Sequence, residues 1–332
     1  MRTSRIVLMA ATLMLLASGC SVLKPNAGEG DVLVGVIVDG AQRQVVQDLL
    51  VPALEKTVET PQPESHFYAS LGRLDSVRAV RKWQNIVVVG TLDGKDSVSA
   101  WLRGSLSSDA LENVRSGRNK VFRRRDLWAI GQTAVFVITP DIASLRLYLE
   151  ENSDVIYTIL SEDRDERMKK HLYARLEQTG LADSLQSAHG WTLRIPNDFS
   201  IVESHKDPDY VLMRRWYPDR FLLVAWTFGT PEDVTVDTLI ALRNRIGKTY
   251  LDPVRVNPVI LHSKRVNLNG LEALRVEGIW ETYGPIGGGP FEAYLLHVNG
   301  TLYLLDGSVF APDRRKEMYL RQLDIIMHTF AP

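Results

Sequence analysis

Arg314-Arg315-Lys316 puts three cations where the last amphipathic stretch of the chain begins. A helix start offers free N–H groups and a partial positive charge, so it disfavours exposed cations by about 0.3–1 kcal/mol each and suits an anion. Gly287-Gly288-Gly289, ahead of Pro290, adds backbone that a ligand can approach closely. Gly288, Gly289, Arg314, Arg315 and Lys316 are therefore a candidate site for a phosphate, carboxylate or lipid headgroup. Salt bridges to local acids, or plain solvation, are the competing reading.

Other constellations are weaker. Glu277 and Glu281 stand four apart on an expected strand and so share a face, as a paired acid–base site requires, but a solvated strand face does the same. Gly247-Lys248-Thr249 lacks the earlier glycine of a phosphate loop, since Leu242 holds that place, and it ends a helix instead of opening one. The seven histidines are scattered, and no GxSxG, HExxH or EF-hand spacing occurs. The seven tryptophans are expected mostly in cores, and Arg123-Arg124-Arg125 and Arg214-Arg215 are expected to pair with acids. No catalytic residue, metal ligand or cofactor is assigned.

Cys20 is the only cysteine, which excludes internal disulfides, CxxC redox chemistry and zinc–thiolate sites. It follows Arg2, Arg5, an apolar run from Ile6 to Ala17, and Ser18-Gly19. That layout is an export signal, and its 12-residue run, about 18 Å as a helix, is shorter than a bilayer core of roughly 30 Å. Leu16-Ala17-Ser18-Gly19-Cys20 resembles the bacterial lipobox, which implies cleavage after Gly19 and diacylglycerol on the Cys20 sulfur. Two or more acyl chains give stable anchoring, so the membrane is an expected partner. Ser21, rather than aspartate, suggests the outer membrane under the usual sorting pattern.

The elements behind these residues give an α+β chain in two mixed, mainly antiparallel domains with packed helices. Residues 1–19 are the signal peptide, 20–30 the acylated cysteine and a flexible tether, 31–181 an N-terminal domain and 189–332 a C-terminal one, divided at Ala182–Gly190. In the first domain, Val32–Val38 and Ile86–Val89 read as strands and Gln44–Val58 as a helix disturbed by Pro52. Pro61-Gln62-Pro63 is an extended turn, and helices are expected over 142–151 and 164–179. In the second, Tyr217–Arg220, Asn269-Gly270 and Asn299-Gly300 mark hairpins, and Tyr319, Leu323, Ile326, Met327 and Phe330 line one face of a last helix capped by Asp313. No βαβ series is evident. The composition, 45% hydrophobic and 24% charged over 332 residues, is that of a globular protein, and a net charge of −1 gives no case for nucleic acid.

Gly287–Phe291, Gly307–Pro312 and Lys316–Leu323 resemble the C-terminal signature of a bacterial lipoprotein family, domain of unknown function 4837. Pro61–Glu64, Asn85–Val88 and Trp128–Gln132 resemble other stretches of that family, which extends the likeness over nearly all of the mature chain. The order of strands and helices after Trp191 is similar to the PsbP and Mog1 type of α/β/α sandwich. The family implies a lipoprotein and no activity. The expectation is a non-catalytic envelope lipoprotein that binds an envelope protein or a small anionic ligand near the outer membrane. A hydrolase or transferase with a site built from distant residues, and a lipid or anion carrier using the last helix start, are the alternatives.

Overall fold

Leu33–Val38 forms strand β1, sending Val34, Val36 and Val38 into one core and Ile37 into another, so this apolar run is buried on both sides. The computed structural model describes residues 24–28, 30–206, 209–250, 254–283 and 287–332. The leader 1–19 and Cys20 lie outside the described residues. After β1 come α1 (Gln42–Val45), a π-helical turn (Val46–Leu50) and α2 (Val51–Leu54). Pro52 falls in the first turn of α2, where its missing N–H is not needed, so the helix is re-phased there and not split.

The hairpin of β2 (Thr57–Val58) and β3 (Glu64–Ser65) follows, turning around Pro61-Gln62-Pro63. Then come β4 (Tyr68–Gly72), α3 (Val77–Val80), β5 (Asn85–Thr91), α4 (Ser97–Ser105), α5 (Ser108–Arg115), β6 (Val121–Arg125), β7 (Thr133–Thr139) and α6 (Ile142–Tyr173).

The chain divides into two compact units. Unit 1 takes the chain through Lys56 together with His66–Arg164, and unit 2 takes Thr57–Ser65 and Asp165–Pro332. Unit 1 is a five-stranded sheet in the order β4-β1-β5-β7-β6. One face packs on α1, α2 and α6 through Val45, Leu50, Leu54, Leu145 and Leu149; the other packs on α3, α4 and α5 through Val80, Val98, Leu102 and Val114.

Unit 2 continues with α7 (Thr179–His189), β8 (Ser200–Lys206), β9 (Asp209–Arg215), β10 (Asp219–Phe228), α8 (Val236–Tyr250), β11 (Val254–Leu268), β12 (Leu271–Thr282), β13 (Gly288–Val298), β14 (Thr301–Phe310) and α9 (Glu317–Met327). Its seven-stranded sheet, β11-β12-β13-β14-β10-β9-β8, is antiparallel throughout. Leu185, Trp191, Tyr319, Leu323 and Phe330 cover one face, and Leu239 and Ile246 of α8 the other.

The α+β class describes the chain, and the mainly antiparallel expectation holds for unit 2. Unit 1 corrects it: β1 pairs in parallel with β4 and β5, and β5 with β7, leaving only β6–β7 antiparallel. Its crossovers run through helices as short as four residues, and the first is interrupted by a hairpin belonging to the other unit, so no βαβ rhythm shows in the sequence.

The expected boundary at 182–190 is also corrected. That stretch lies in α7 and its left-handed cap Gly190, while the division falls at Arg164/Asp165, inside α6. The two helices expected over 142–151 and 164–179 are joined, because 152–163 continues the helix with Ile156 and Leu160 buried. The tether 20–30 is free over less of its length than expected. Ile130 N–H donates to Pro25 O (2.8 Å), Ala27 N–H to Ile130 O (2.7 Å) and Gly28 N–H to Lys82 O (2.9 Å).

Candidate functional site

The last helix start in unit 2 holds an anion of its own. Glu64, on β3, is 8% exposed. Its two carboxylate oxygens accept the Lys316 N–H at 2.9 and 2.8 Å, and one also accepts the Glu317 N–H at 3.0 Å. Arg315 and Lys316 bring their cationic ends within 3.7 and 3.9 Å of the same carboxylate, and Arg315 also donates to Ser65 O. The cations therefore offset the carboxylate that occupies the helix N-terminus.

This corrects the reading of Arg314–Lys316 as a site for an external anion: the anion in place is internal. Lys316, not Asp313, holds the cap position of α9, and Arg314 lies near Asp313 at the surface.

Gly288 and Gly289 are not brought to this cluster by any hydrogen bond among the described residues. They sit on β13 opposite Glu281 and Trp280. A Cβ on Gly289 would stand 1.9 Å from Val309 O, and one on Gly288 2.6 Å from Trp280 O. Their glycine identity serves close strand packing. Glu277 and Glu281 are likewise kept apart in function, Glu277 bonded to Arg275 and Glu281 to Arg255 at 2.8 Å.

A second cluster lies under α9 and joins strands to that helix. Arg275 on β12 donates to Glu292 on β13. Tyr294 Oη lies 2.6 Å from Glu292 Oε1 and 2.5 Å from Asp324 Oδ1, and His328 Nδ1 lies 2.9 Å from Asp324. The phenol has one proton for two carboxyl groups, so one carboxyl must carry its own. Burial, reinforced by the Asp324 charge, pushes Glu292 up to about 7. Burial works against the Asp324 charge, yet the His328 hydrogen bond holds that carboxyl below its usual range; in return Asp324 outweighs burial and raises His328 to about 9. Burial, with the Glu292 and Asp324 charges, raises Tyr294 strongly. Such opposed shifts are what acid–base chemistry uses, although structural networks produce them too. Only Glu277 at the edge of this cluster was legible in the sequence. Period-2 spacing puts Glu292 and Tyr294 on one strand face, but nothing local ties them to Asp324 and His328 on the last helix.

Unit 2 also has an open groove of about 450 Å³ lined by Glu166, Lys169, Lys170, Tyr173 and Arg194. The Arg194 guanidinium lies 3.8 Å over the Tyr173 ring and is held by two bonds to Glu177, at 2.7 and 2.6 Å. Those bonds hold Glu177 below its usual range, and burial pushes the Tyr173 phenol up to about 12. The groove thus presents cations beside an aromatic wall.

In unit 1, polar groups gather at the carboxyl ends of β1 and β5, the point where strand order reverses and open α/β sheets commonly hold ligands. Ser97 donates to Asp39 (2.5 Å), Gln42 to Thr91 (3.0 Å) and Thr91 to Asp93 (2.7 Å), while Asp96 caps α4. Each carboxylate there has an internal task. Among the described residues, no group of three or more His, Cys, Asp or Glu side chains is placed to hold a metal ion, and no helix is long and apolar enough to cross a membrane.

Residues 178–329 match the model of a domain of unknown function, DUF4837. Over that span the chain is similar to the DUF4837 family. The match takes in the whole seven-stranded sheet with α8 and α9, and the C-terminal likeness read in the sequence falls inside it. The stretches at Pro61–Glu64, Asn85–Val88 and Trp128–Gln132 fall outside it, so the matched span is about the C-terminal half and not nearly the whole mature chain. Glu64 therefore holds the start of α9 from outside the matched residues. No curated protein matches the chain.

Several solved structures are similar in part. A Bacteroides thetaiotaomicron VPI-5482 protein shares 7% identity at a TM-score of 0.28, over 42% of this chain; the chain spans 44% of that protein's length. PsbP of Synechocystis sp. PCC 6803 shares 18% identity at 0.30, over 43% of this chain and 86% of its own. LpqN of Mycobacterium tuberculosis, described as involved in cell envelope biogenesis, shares 13% at 0.29, over 42% and 81%.

Proposed function

We propose that this is a lipid-anchored envelope protein that recognises an anionic partner or ligand without transforming it. The observation that carries the reading is the groove of unit 2. Lys169, Lys170 and Arg194 supply positive charge in excess of the carboxylates of Glu166 and Glu177, Tyr173 supplies the aromatic wall on which the guanidinium stacks, and Glu177 fixes that guanidinium before anything binds. Preorganised cations over an aromatic suit a carboxylate or phosphate group on a larger partner.

The acid–base groups of unit 2 support the non-catalytic half. Glu292, Tyr294, Asp324 and His328 are bonded to one another under α9, and none of them lines this groove. The last helix start does not favour a lipid or anion carrier there, because Glu64 already fills it. Anchoring rests on the lipobox-like Leu16–Cys20, whose acylation would hold the protein at the outer membrane.

One experiment tests both halves. A photo-crosslinker replacing Glu166, on the groove rim, is placed in the full chain in cells, beside the Lys169→Gln/Lys170→Gln and Cys20→Ser variants. The expected result is a crosslinked species that disappears with the double variant, and loss of the protein from the detergent phase with Cys20→Ser. Crosslinking unchanged by the double variant would reject the groove, and a Cys20→Ser chain still in the detergent phase would reject the anchor.

A further inference from the structure

The described chain starts at Lys24, four residues past Cys20, and it is already bound to unit 1. Lys24 Nζ donates to Asp126 O at 2.6 Å, and the backbone of Pro25, Ala27 and Gly28 is hydrogen-bonded to Ile130 and Lys82 as given above. Asn26 forms a parallel bridge with Ile130. This strap lies at the end of unit 1 where β5 and β7 begin, for Lys82 and Ile130 precede Asn85 and Thr133 by three residues each.

Four Cα steps reach at most about 14 Å. Whatever holds the Cys20 sulfur therefore holds this end of unit 1 within that reach of Lys24. The surface found there has the composition that a lipid surface selects. Ile130 is 51% exposed, and Arg81 and Lys82 are exposed with no ion pair among the described residues. Among the described residues nearby, Asp31 is paired with Arg164 at 3.0 Å, and Asp126, which accepts the Gly131 N–H at 2.5 Å, is one exposed carboxylate against the three cations. Cations within a Debye length of anionic headgroups are attracted to them, and an exposed isoleucine enters the interface readily.

We propose that the strand-start end of unit 1, built from Lys24, Arg81, Lys82 and Ile130, lies against an anionic lipid headgroup layer. The inference rests on acylation of Cys20 as proposed above. Its consequence is an orientation: the polar groups at the carboxyl ends of β1 and β5, at the opposite ends of the strands, are turned toward water.

The test uses the full acylated chain in vesicles of phosphatidylethanolamine and phosphatidylglycerol containing headgroup spin-labelled lipid. Because Cys20 is the only native cysteine, a thiol introduced by Lys82→Cys or by Lys95→Cys can be labelled alone with a fluorophore once the Cys20 sulfur is acylated. These positions precede and follow β5. The expected result is quenching at least threefold stronger at position 82 than at 95, with Lys24→Glu/Arg81→Glu lowering that ratio at least twofold. Equal quenching at both positions on vesicle-bound protein would overturn the orientation while leaving the anchor intact. A ratio unmoved by the charge reversals would overturn the assignment of the cations. A free Cys20 thiol by intact mass would sink the anchor, and the orientation with it.

Discussion

Glu64 does for the last helix what a bound anion was expected to do. Removing its carboxylate by Glu64→Ala leaves two helix N–H groups and two nearby cations without their partner, which should cost about 2–4 kcal/mol. The vacated place has the charge for a small oxyanion, so 50 mM phosphate should recover part of the lost melting temperature in Glu64→Ala and leave the parent protein unaffected. Thermal melts with phosphate and with chloride at matched ionic strength check this. The sequence showed the cations and the helix start, and it hid the acid, because carboxylate and helix are 252 positions apart.

The cluster under α9 gives a pH signature of definite sign. Glu292 and His328 both titrate higher in the fold than unfolded, from 4.5 to about 7 and from 6.5 to about 9. Their contributions are complete below the unfolded values and are lost as pH rises through the folded ones. Asp324 is held low, so its contribution is lost on acidification instead. Unit 2 should be most stable near pH 5 and weaken toward pH 9. Glu292→Gln should flatten the slope between about pH 4.5 and 7, and His328→Gln the slope between about 6.5 and 9. The histidine is partly exposed, which leaves it about 1 kcal/mol of the total. Chemical unfolding at several pH values measures both.

Among the elements, the hairpins were the most legible. Asn269 and Asn299 have φ of 50° and 51°, and Gly270 and Gly300 have 91° and 82°, the positive values that Asn-Gly turns adopt. The valine run of β5 was also plain, since Ile86 and Val88 enter one core and Val87 and Val89 the other. Parallel pairing was not, because apolar runs record burial and not strand direction. Gly288-Gly289 was visible as a special backbone stretch, but its reason is a neighbouring strand. Gly289→Ala should therefore destabilise unit 2 by about 3 kcal/mol, since its Cβ would collide with the Val309 carbonyl. An urea melt of Gly289→Ala beside Gly104→Ala, a helical glycine with open space around it, tests that contrast.

At the scale of the molecule, the two units have separate cores and separate buried ion pairs. Asp163 in unit 1 accepts from Arg123, Arg125 and Thr133. Asp163→Ala should remove about 3 kcal/mol from unit 1, as loss of one partner of a buried pair does. Chemical unfolding of Asp163→Ala beside the parent protein, followed by Trp fluorescence, measures the loss. Composition and patterning announced two domains; what they could not announce is that the chain crosses between units at 56/57, 65/66 and 164/165. No linker composition marks those points, because one lies in the middle of an unbroken helix and the others flank a nine-residue excursion.

That excursion sets a timetable for biogenesis. At ribosomal speeds of about 5–20 residues per second, roughly 250 residues separating Glu64 from Lys316 represent tens of seconds of translation. The hairpin waits at least that long for the helix it completes, so unit 2 matures only when two stretches made far apart in time close on one another.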